Sequence, residues 1–377
     1  MGPRAFVAVA LVVCSCPVVA GQSEVKRVGL EEQALLERLV EQAAAGTALS
    51  SDAWLKWLPH FFRGRDGKTY VPFTLRVDEA PGGFGRAAMY VRIAPRGDPG
   101  RAAQRAQGIT NAEGIPPGEF PVNSPDRRQG AGAPSASDST LMLRSLTAKG
   151  RIRYPYEAIY GVSSSREGDA AIVRRSFAIA PGQYDVYIAL MEQERRGGTR
   201  RQAILKQQIT VPDMAAIGLR LSSVVVADRI ETLARPLNEA EQLQRPYALG
   251  TAELVPASDD QLGPAETLHV AFIIYGAEVD AAGMPDVRVE YRLFRREELS
   301  ERLLGSTPPQ NLDRSTLPAG FDLRAGQQLA SLQSLPLASY SPGAYRLVIR
   351  VVDNRSGAEA DQEVRFAIAA PTRDNAR

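Results

Sequence analysis

Phe177-Ala-Ile-Ala-Pro-Gly-Gln-Tyr-Asp-Val-Tyr-Ile-Ala-Leu190 and, about 160 residues later, Leu337-Ala-Ser-Tyr-Ser-Pro-Gly-Ala-Tyr-Arg-Leu-Val-Ile-Arg-Val351 read as one β-hairpin written twice. In each copy a Pro-Gly turn precedes a tyrosine that opens a strand with one apolar face: Tyr184, Val186, Ile188, Leu190, then Tyr345, Leu347, Ile349, Val351. A period of two is the mark of a strand buried on one side. The repeat predicts a mainly β chain of two tandem immunoglobulin-like β-sandwiches, with a short N-terminal helical region.

Length and charge set the outer limits. A chain of 377 residues is too long for one core at roughly 100 to 200 residues per domain, and two sandwiches of ordinary size fit it. The formal charge of +2 gives no global field to attract nucleic acid or an anionic membrane. Arg4 precedes an apolar run from Ala5 to Val13, and Val18-Val19-Ala20 closes it, which is the order of a secretory signal peptide. Cleavage after residue 20 and export to the periplasm or the exterior are expected. Ser15 and Pro17 break the run below the roughly 20 residues that span a bilayer, and no later stretch is long enough, so the mature chain is expected to have no transmembrane segment. Cys14 and Cys16 leave lipid anchoring as an alternative, although Val13 is larger than the residue a lipobox takes before its cysteine. Cleavage would remove both cysteines, leaving stability to burial alone.

The chain divides as residues 1–20 signal, 21–64 helical segment, 65–213 first sandwich, 214–370 second sandwich and 371–377 polar tail. Leu36, Leu39, Val40 and Ala43 recur at helical spacing between Leu30 and Ala45. Trp54, Trp57, Leu58 and Phe61 follow at i, i+3, i+4, i+7 behind the cap candidates Ser50, Ser51 and Asp52, predicting a second short helix that Pro59 ends. Strands are expected over Thr69–Val77, Ala87–Ile93, Ala170–Ile179 and Ala203–Val211, then over Thr267–Tyr275, Val287–Phe294 and Glu363–Ala369. Residues 95–138 form a long Gly/Pro-rich loop with little to bury, and helical turns are expected near Glu239–Leu243 and Glu297–Leu304.

Tyr184 and Tyr345 stand where immunoglobulin-like domains carry a corner tyrosine whose hydroxyl ties back to the preceding loop. The second domain also resembles the β-sandwich region of bacterial exported proteins of the GWxTD-domain type, through Leu219-Arg-Leu-Ser-Ser-Val-Val-Val-Ala-Asp228, Val287-Arg-Val-Glu-Tyr-Arg-Leu-Phe294 and Ser341-Pro-Gly-Ala-Tyr-Arg-Leu347. The motif that names that family is absent from the chain. The resemblance implies an exported envelope protein and brings no catalytic residue with it.

Catalytic and metal chemistry find little to use. The chain has two histidines, His60 and His269; on the period of two, His269 shares a strand face with Ala271, Ile273 and Tyr275, as a polar member of a packed strand would. Two isolated histidines and no mature cysteine remove the usual zinc constellations. Asp259-Asp260, Asp280 with Asp286, and Asp353 with Asp361 are the oxygen clusters on offer for calcium, and turn chemistry explains each better. No cofactor is expected.

The sharpest local charge is Glu194-Arg-Arg-Gly-Gly-Thr-Arg-Arg201, where a hairpin about Gly197-Gly198 brings Arg195, Arg196, Arg200 and Arg201 to one tip. No aromatics interleave with them, which argues against nucleic acid. Trp54 and Trp57 are either packing anchors or, if exposed, an aromatic platform for sugar. The expectation is a non-enzymatic exported scaffold or protein-binding module with an envelope protein as partner. A carbohydrate-binding sandwich with a polysaccharide ligand is the alternative.

Overall fold

The computed structural model describes residues 28–47, 55–78, 86–96, 154–163, 165–167, 170–192 and 201–370. The signal segment, Trp54, most of the loop 95–138, the hairpin residues Arg195, Arg196 and Arg200, and the tail 371–377 lie outside the described residues.

The chain is mainly β, as the repeated hairpin implies. Helix α1 (Leu30–Ala44) comes first. Strands β1 (Leu55–Pro59), β2 (Phe62–Arg63), β3 (Thr69–Val77), β4 (Arg86–Pro95), β5 (Tyr156–Ser163), β6 (Ser165–Glu167), β7 (Ala170–Ile179), β8 (Gly182–Glu192) and β9 (Gln202–Val211) build the first sandwich. One sheet runs β1-β3-β7-β6 with β2 also on β3, and the other runs β5-β4-β8-β9. Inward rows of Val71, Phe73, Leu75 and Val77 meet Met89, Val91, Ile93, Val186, Ile188 and Leu190, so each strand sends alternate residues into this core as its period requires.

The second sandwich contains β10 (Arg220–Leu221), β11 (Val225–Thr232), helix α2 (Glu239–Gln244), β12 (Ala248–Leu249), β13 (Ala252–Pro256), β14 (Gln261–Leu262) and β15 (Thr267–Tyr275). Then come β16 (Val287–Arg296), β17 (Glu301–Ser306), β18 (Gln310–Leu312), β19 (Leu329–Pro336), β20 (Gly343–Asp353) and β21 (Glu359–Ile368). One sheet runs β10-β15-β11-β13-β12 with β19 on the other edge of β15; the facing sheet runs β14-β21-β20-β16-β17 with β18 also on β16. Strand for strand, β5-β4-β8-β9 matches β17-β16-β20-β21, and β3-β7 matches β15-β19. The corner tyrosines are formed: the Tyr184 hydroxyl donates to the Ala180 carbonyl at 2.9 Å, and that of Tyr345 donates to the Ser341 carbonyl.

Two expectations are corrected here. Residues 55–59, placed in the helical segment 21–64, form a strand antiparallel to β3, with Trp57 opposite Leu75 and Pro59 opposite Phe73. Leu55 and Trp57 also satisfy an alternating pattern, and β1 is an edge, where a residue without an N–H is tolerated. Residues 297–304 are a hairpin between β16 and β17, closed by the Glu297 N–H donating to the Ser300 carbonyl at 2.9 Å. The helical turn expected at 239–243 does form, as α2, with Asn238 Oδ1 accepting from the Glu241 N–H at 2.9 Å.

Each outer sheet face has a distinct cover. Helix α1 lays Leu36, Val40 and Ala43 on Ala88, Tyr90, Tyr187, Ala189 and Met191 of the β5-β4-β8-β9 sheet. Arg92 staples it: Nη1 donates to Glu41 Oε1 at 2.6 Å and Nε donates to the Tyr90 hydroxyl at 3.0 Å. The outer faces of the β1-β3-β7 and β11-β15 sheets close on each other, joining the two sandwiches. The outer face of β16 and β20 is a quilt of opposite charges, including Arg346 with Glu363 at 3.3 Å and Arg350 with Glu359 at 2.5 Å, as expected of a face turned to water.

Candidate functional site

The most developed arrangement of polar groups lies in the seam between the sandwiches. Phe62 and Tyr70 of the first domain pack on Val225, Ala227, Ala271, Ile273 and Tyr275 of the second, with Tyr247 and Leu254 at the margin. Hydrogen bonds frame this apolar patch. The Phe61 N–H donates to Ser223 Oγ at 2.8 Å and its carbonyl accepts from the Ser223 N–H at 2.9 Å. The Tyr70 hydroxyl donates to the Pro246 carbonyl at 3.0 Å. Arg63 donates its N–H to the Tyr275 hydroxyl at 3.1 Å while its guanidinium lies 4.6 Å from the Tyr275 ring centre. At the rim Arg76 is paired with both Asp78 and Asp259, and Arg174 donates to the Pro256 carbonyl at 3.1 Å.

His60 sits inside this seam. The two-residue gap between β1 and β2 turns its ring toward Tyr247, and Nδ1 lies 2.8 Å from the Tyr247 hydroxyl with the rings edge to face. Burial lowers the imidazole pKa from the model-peptide value to about 4 and pushes the Tyr247 hydroxyl up. The ring is therefore neutral at neutral pH. His269 lies on the strand face it was expected to share, its Nδ1 2.7 Å from Ser334 Oγ.

The carboxylates hold turns. Asp280 accepts from the Ala282 and Met284 N–H groups and from Arg314, each at 2.9 Å, and this set lowers its pKa. Asp353 is buried and accepts from the Glu278 N–H at 2.9 Å and the Ser356 hydroxyl at 2.6 Å, while Asp286 accepts from the Asn354 amide at 2.7 Å. Asp361 is on β21, opposite Arg350 of β20. Among the described residues, no three His, Cys, Asp or Glu side chains are gathered to hold a metal ion.

Trp57 corrects the platform expectation. It is 4% exposed, its ring 5.9 Å from that of Phe73 in the first core, so it offers no face to a sugar; Trp54 lies outside the described residues. The arginine hairpin is met only at its base. Strands β8 and β9 pair up to Met191 opposite Gln202, and the Glu192 N–H donates to the Arg201 carbonyl at 3.0 Å. Arg201 is exposed, and Arg195, Arg196 and Arg200 belong to residues 193–200, outside the described set.

Sequence reasoning passed over the side of each sandwich bordered by β5 and the β7–β6 end of the facing sheet, or by β17 and β19. In the second domain a slot of about 10 Å³ opens there between Leu268, Val270, Leu293, Gly305, Gln333 and Leu335, room for one water molecule. In the first, the matching position of Gly305 on the neighbouring strand is Tyr156: Ile93 pairs with Tyr156 as Leu293 pairs with Gly305. The Tyr156 and Tyr160 hydroxyls are hydrogen-bonded to each other, the Tyr156 ring is 5.2 Å from Phe177, and Arg175 lies over Tyr160 at 5.9 Å. Its trace in the sequence is the charged pair Arg174-Arg175 inside a strand; the fold puts Arg175 in the inward row with Ala171, Val173, Phe177 and Ile179.

No family model and no curated protein matches the chain. Among solved structures it is similar to red sea bream transglutaminase, at 8% identity and a TM-score of 0.19 over 87% of this chain and 33% of that one. It is similar also to Escherichia coli alpha-2-macroglobulin activated by porcine elastase, at 10% identity and a TM-score of 0.20 over 84% and 35%. The native conformation of the same macroglobulin gives 13% identity and a TM-score of 0.19 over 86% and 16%. The chain thus spans about a third or less of the length of these proteins, and at such TM-scores the likeness carries no argument about function.

Proposed function

We propose that this is a non-enzymatic exported protein that serves the cell envelope as a two-domain scaffold or protein-binding module. The observation that carries the reading is the seam. Two sandwiches joined by an apolar patch, main-chain hydrogen bonds and rim ion pairs form a unit that presents surfaces at fixed separation, which is the property a scaffold needs. The signal-like N-terminus and the resemblance to exported GWxTD-type proteins support export. Four arginines, Arg195, Arg196, Arg200 and Arg201, which the sequence is expected to bring to one hairpin tip, support recognition of an acidic protein surface. The burial of Trp57 removes half of the aromatic pair on which the polysaccharide reading depended.

The test is capture from the detergent-solubilised envelope of the source cell, with the mature chain beside a variant in which Arg195, Arg196, Arg200 and Arg201 are changed to Ser. Reproducible recovery of one protein by the first, lost with the second, is the expected result. Recovery of glycan alone, or of nothing, would overturn the reading.

A further inference from the structure

We infer that the open side of the first sandwich, at Arg175, Tyr156 and Tyr160, is a binding site for a carboxylate monoanion. The inference is independent of the scaffold reading.

Arg175 faces the core. It pairs with Phe73, and paired residues of an antiparallel ladder share a face, so its side chain leaves the sheet on the side of Phe73 and Val173. A strand residue there is normally apolar, because an ion held among hydrocarbon walls is expensive unless it is paired. Among the described residues Arg175 has no carboxylate partner. Its acceptor is the neighbouring Arg174 carbonyl, 2.7 Å from Nη1, which uses one of the five N–H donors of a guanidinium.

The groups around it add donors. Tyr156 and Tyr160 project inward from β5, since they pair with Ile93 and Met89 of the core. When two phenols hydrogen-bond each other, one gives its proton and the other keeps its own to offer elsewhere. Among the described residues the site therefore presents a guanidinium fork and a phenolic O–H, and no carboxylate. Burial raises the pKa of both hydroxyls and lowers that of Arg175, so the phenols stay protonated. A donor set of this kind fits an oxyanion.

The location allows access. The strand pairings of β6 reach only Ala170, Ala171 and Ile172 of β7, and β5 ends its own sheet. Among the described residues no strand pairs with β7 on that side beyond Ile172, so Arg175 lies past the β6 pairing, and it is half-buried. Charge then selects among oxyanions. One guanidinium neutralises a carboxylate, whereas a phosphate dianion would leave a net negative charge against apolar walls.

The test uses the mature chain with 13C-labelled tyrosine, titrated with sodium acetate, sodium phosphate and sodium chloride at pH 7.5 and constant ionic strength. The expected result is a saturable shift of the Tyr156 and Tyr160 signals with acetate, at least about tenfold weaker binding with phosphate, and no saturation with chloride. In Arg175→Gln the saturable response should vanish while the corner tyrosines, Tyr184 and Tyr345, keep their signals and certify the fold. Arg175→Lys keeps the charge without the fork and should bind more weakly than the parent protein. Shifts no larger with acetate than with chloride, or an acetate response that survives in Arg175→Gln, would overturn the assignment.

Discussion

The two sandwiches are the same framework finished differently. In the second, four residues separate β16 from β17; in the first, the connection between β4 and β5 takes 60, from residue 96 to residue 155. Lengthening one hairpin connection this far leaves the ladder intact, because loop-closure cost rises only logarithmically with length. The sheet pairs that matter are unchanged: Ile93 faces Val186 as Leu293 faces Leu347, and Pro95 faces Tyr184 as Arg295 faces Tyr345. What differs is what the inward edge positions carry and how the outer faces are covered. The comparison teaches that the strand ladder is conserved within the molecule by packing, while its edge and faces are free to specialise.

The sharpest way to break the comparison is to empty one core and watch the other. Trp57→Ala should cost the first sandwich ~3–5 kcal/mol, read by urea denaturation. If the seam couples the domains as described, both sandwiches should lose stability in one transition. Two separate transitions, with the second unshifted, would mean that the frameworks are merely adjacent.

Acid should act on the seam. The folded pKa of His60, at about 4, lies below the model-peptide value of 6.5, so the unfolded chain takes up the proton first. Stability contributed by the neutral ring is complete above pH 6.5 and falls as the pH drops through the window from 6.5 to about 4, by about 3 kcal/mol in all. His60→Asn should flatten this part of the pH–stability curve. An unchanged slope would place the acid sensitivity elsewhere.

The corner tyrosines test equivalence directly. Tyr184→Phe and Tyr345→Phe each remove one hydroxyl-to-carbonyl bond, and each should cost about 1 kcal/mol, by thermal unfolding. A cost confined to one domain would break the match. The smallest effect is expected at Gly305, where an added Cβ would meet nothing within 4 Å. Gly305→Ala should stabilise by roughly 0.5–1 kcal/mol through the entropy of the unfolded chain, partly filling the position that Tyr156 occupies in the first domain.

Much of this framework is legible in the sequence. Strand β15 begins and ends where the alternation of Leu268, Val270, Phe272 and Ile274 does, and the Pro-Gly-x-Tyr pattern places both corners. Strand β1 reads as a helix because Trp54, Trp57, Leu58 and Phe61 fit the helical period, while its alternating pair, Leu55 and Trp57, is too short a run to outweigh it. Strand β19 went unmarked because its inward row, Leu329, Ser331, Gln333, Leu335, alternates only weakly, the serine being accounted for by a 2.7 Å hydrogen bond with Tyr291 that only the fold brings about. The seam could not be read at all: His60 and Tyr247 are 187 residues apart, and no local pattern marks a strand face as destined for another domain. Arg175 was visible as a charge in a strand, yet with Arg174 beside it the sequence alone does not say which of the two points inward.

The most direct test of the account is a distance measurement between the domains. Spin labels at exposed Gln202 in the first sandwich and Arg365 in the second, each introduced as cysteine, report their separation by double electron–electron resonance at neutral pH. The account predicts one narrow distance distribution, which broadens when Ile273→Glu places a charge in the seam. A broad or multimodal distribution in the otherwise unaltered protein would contradict it.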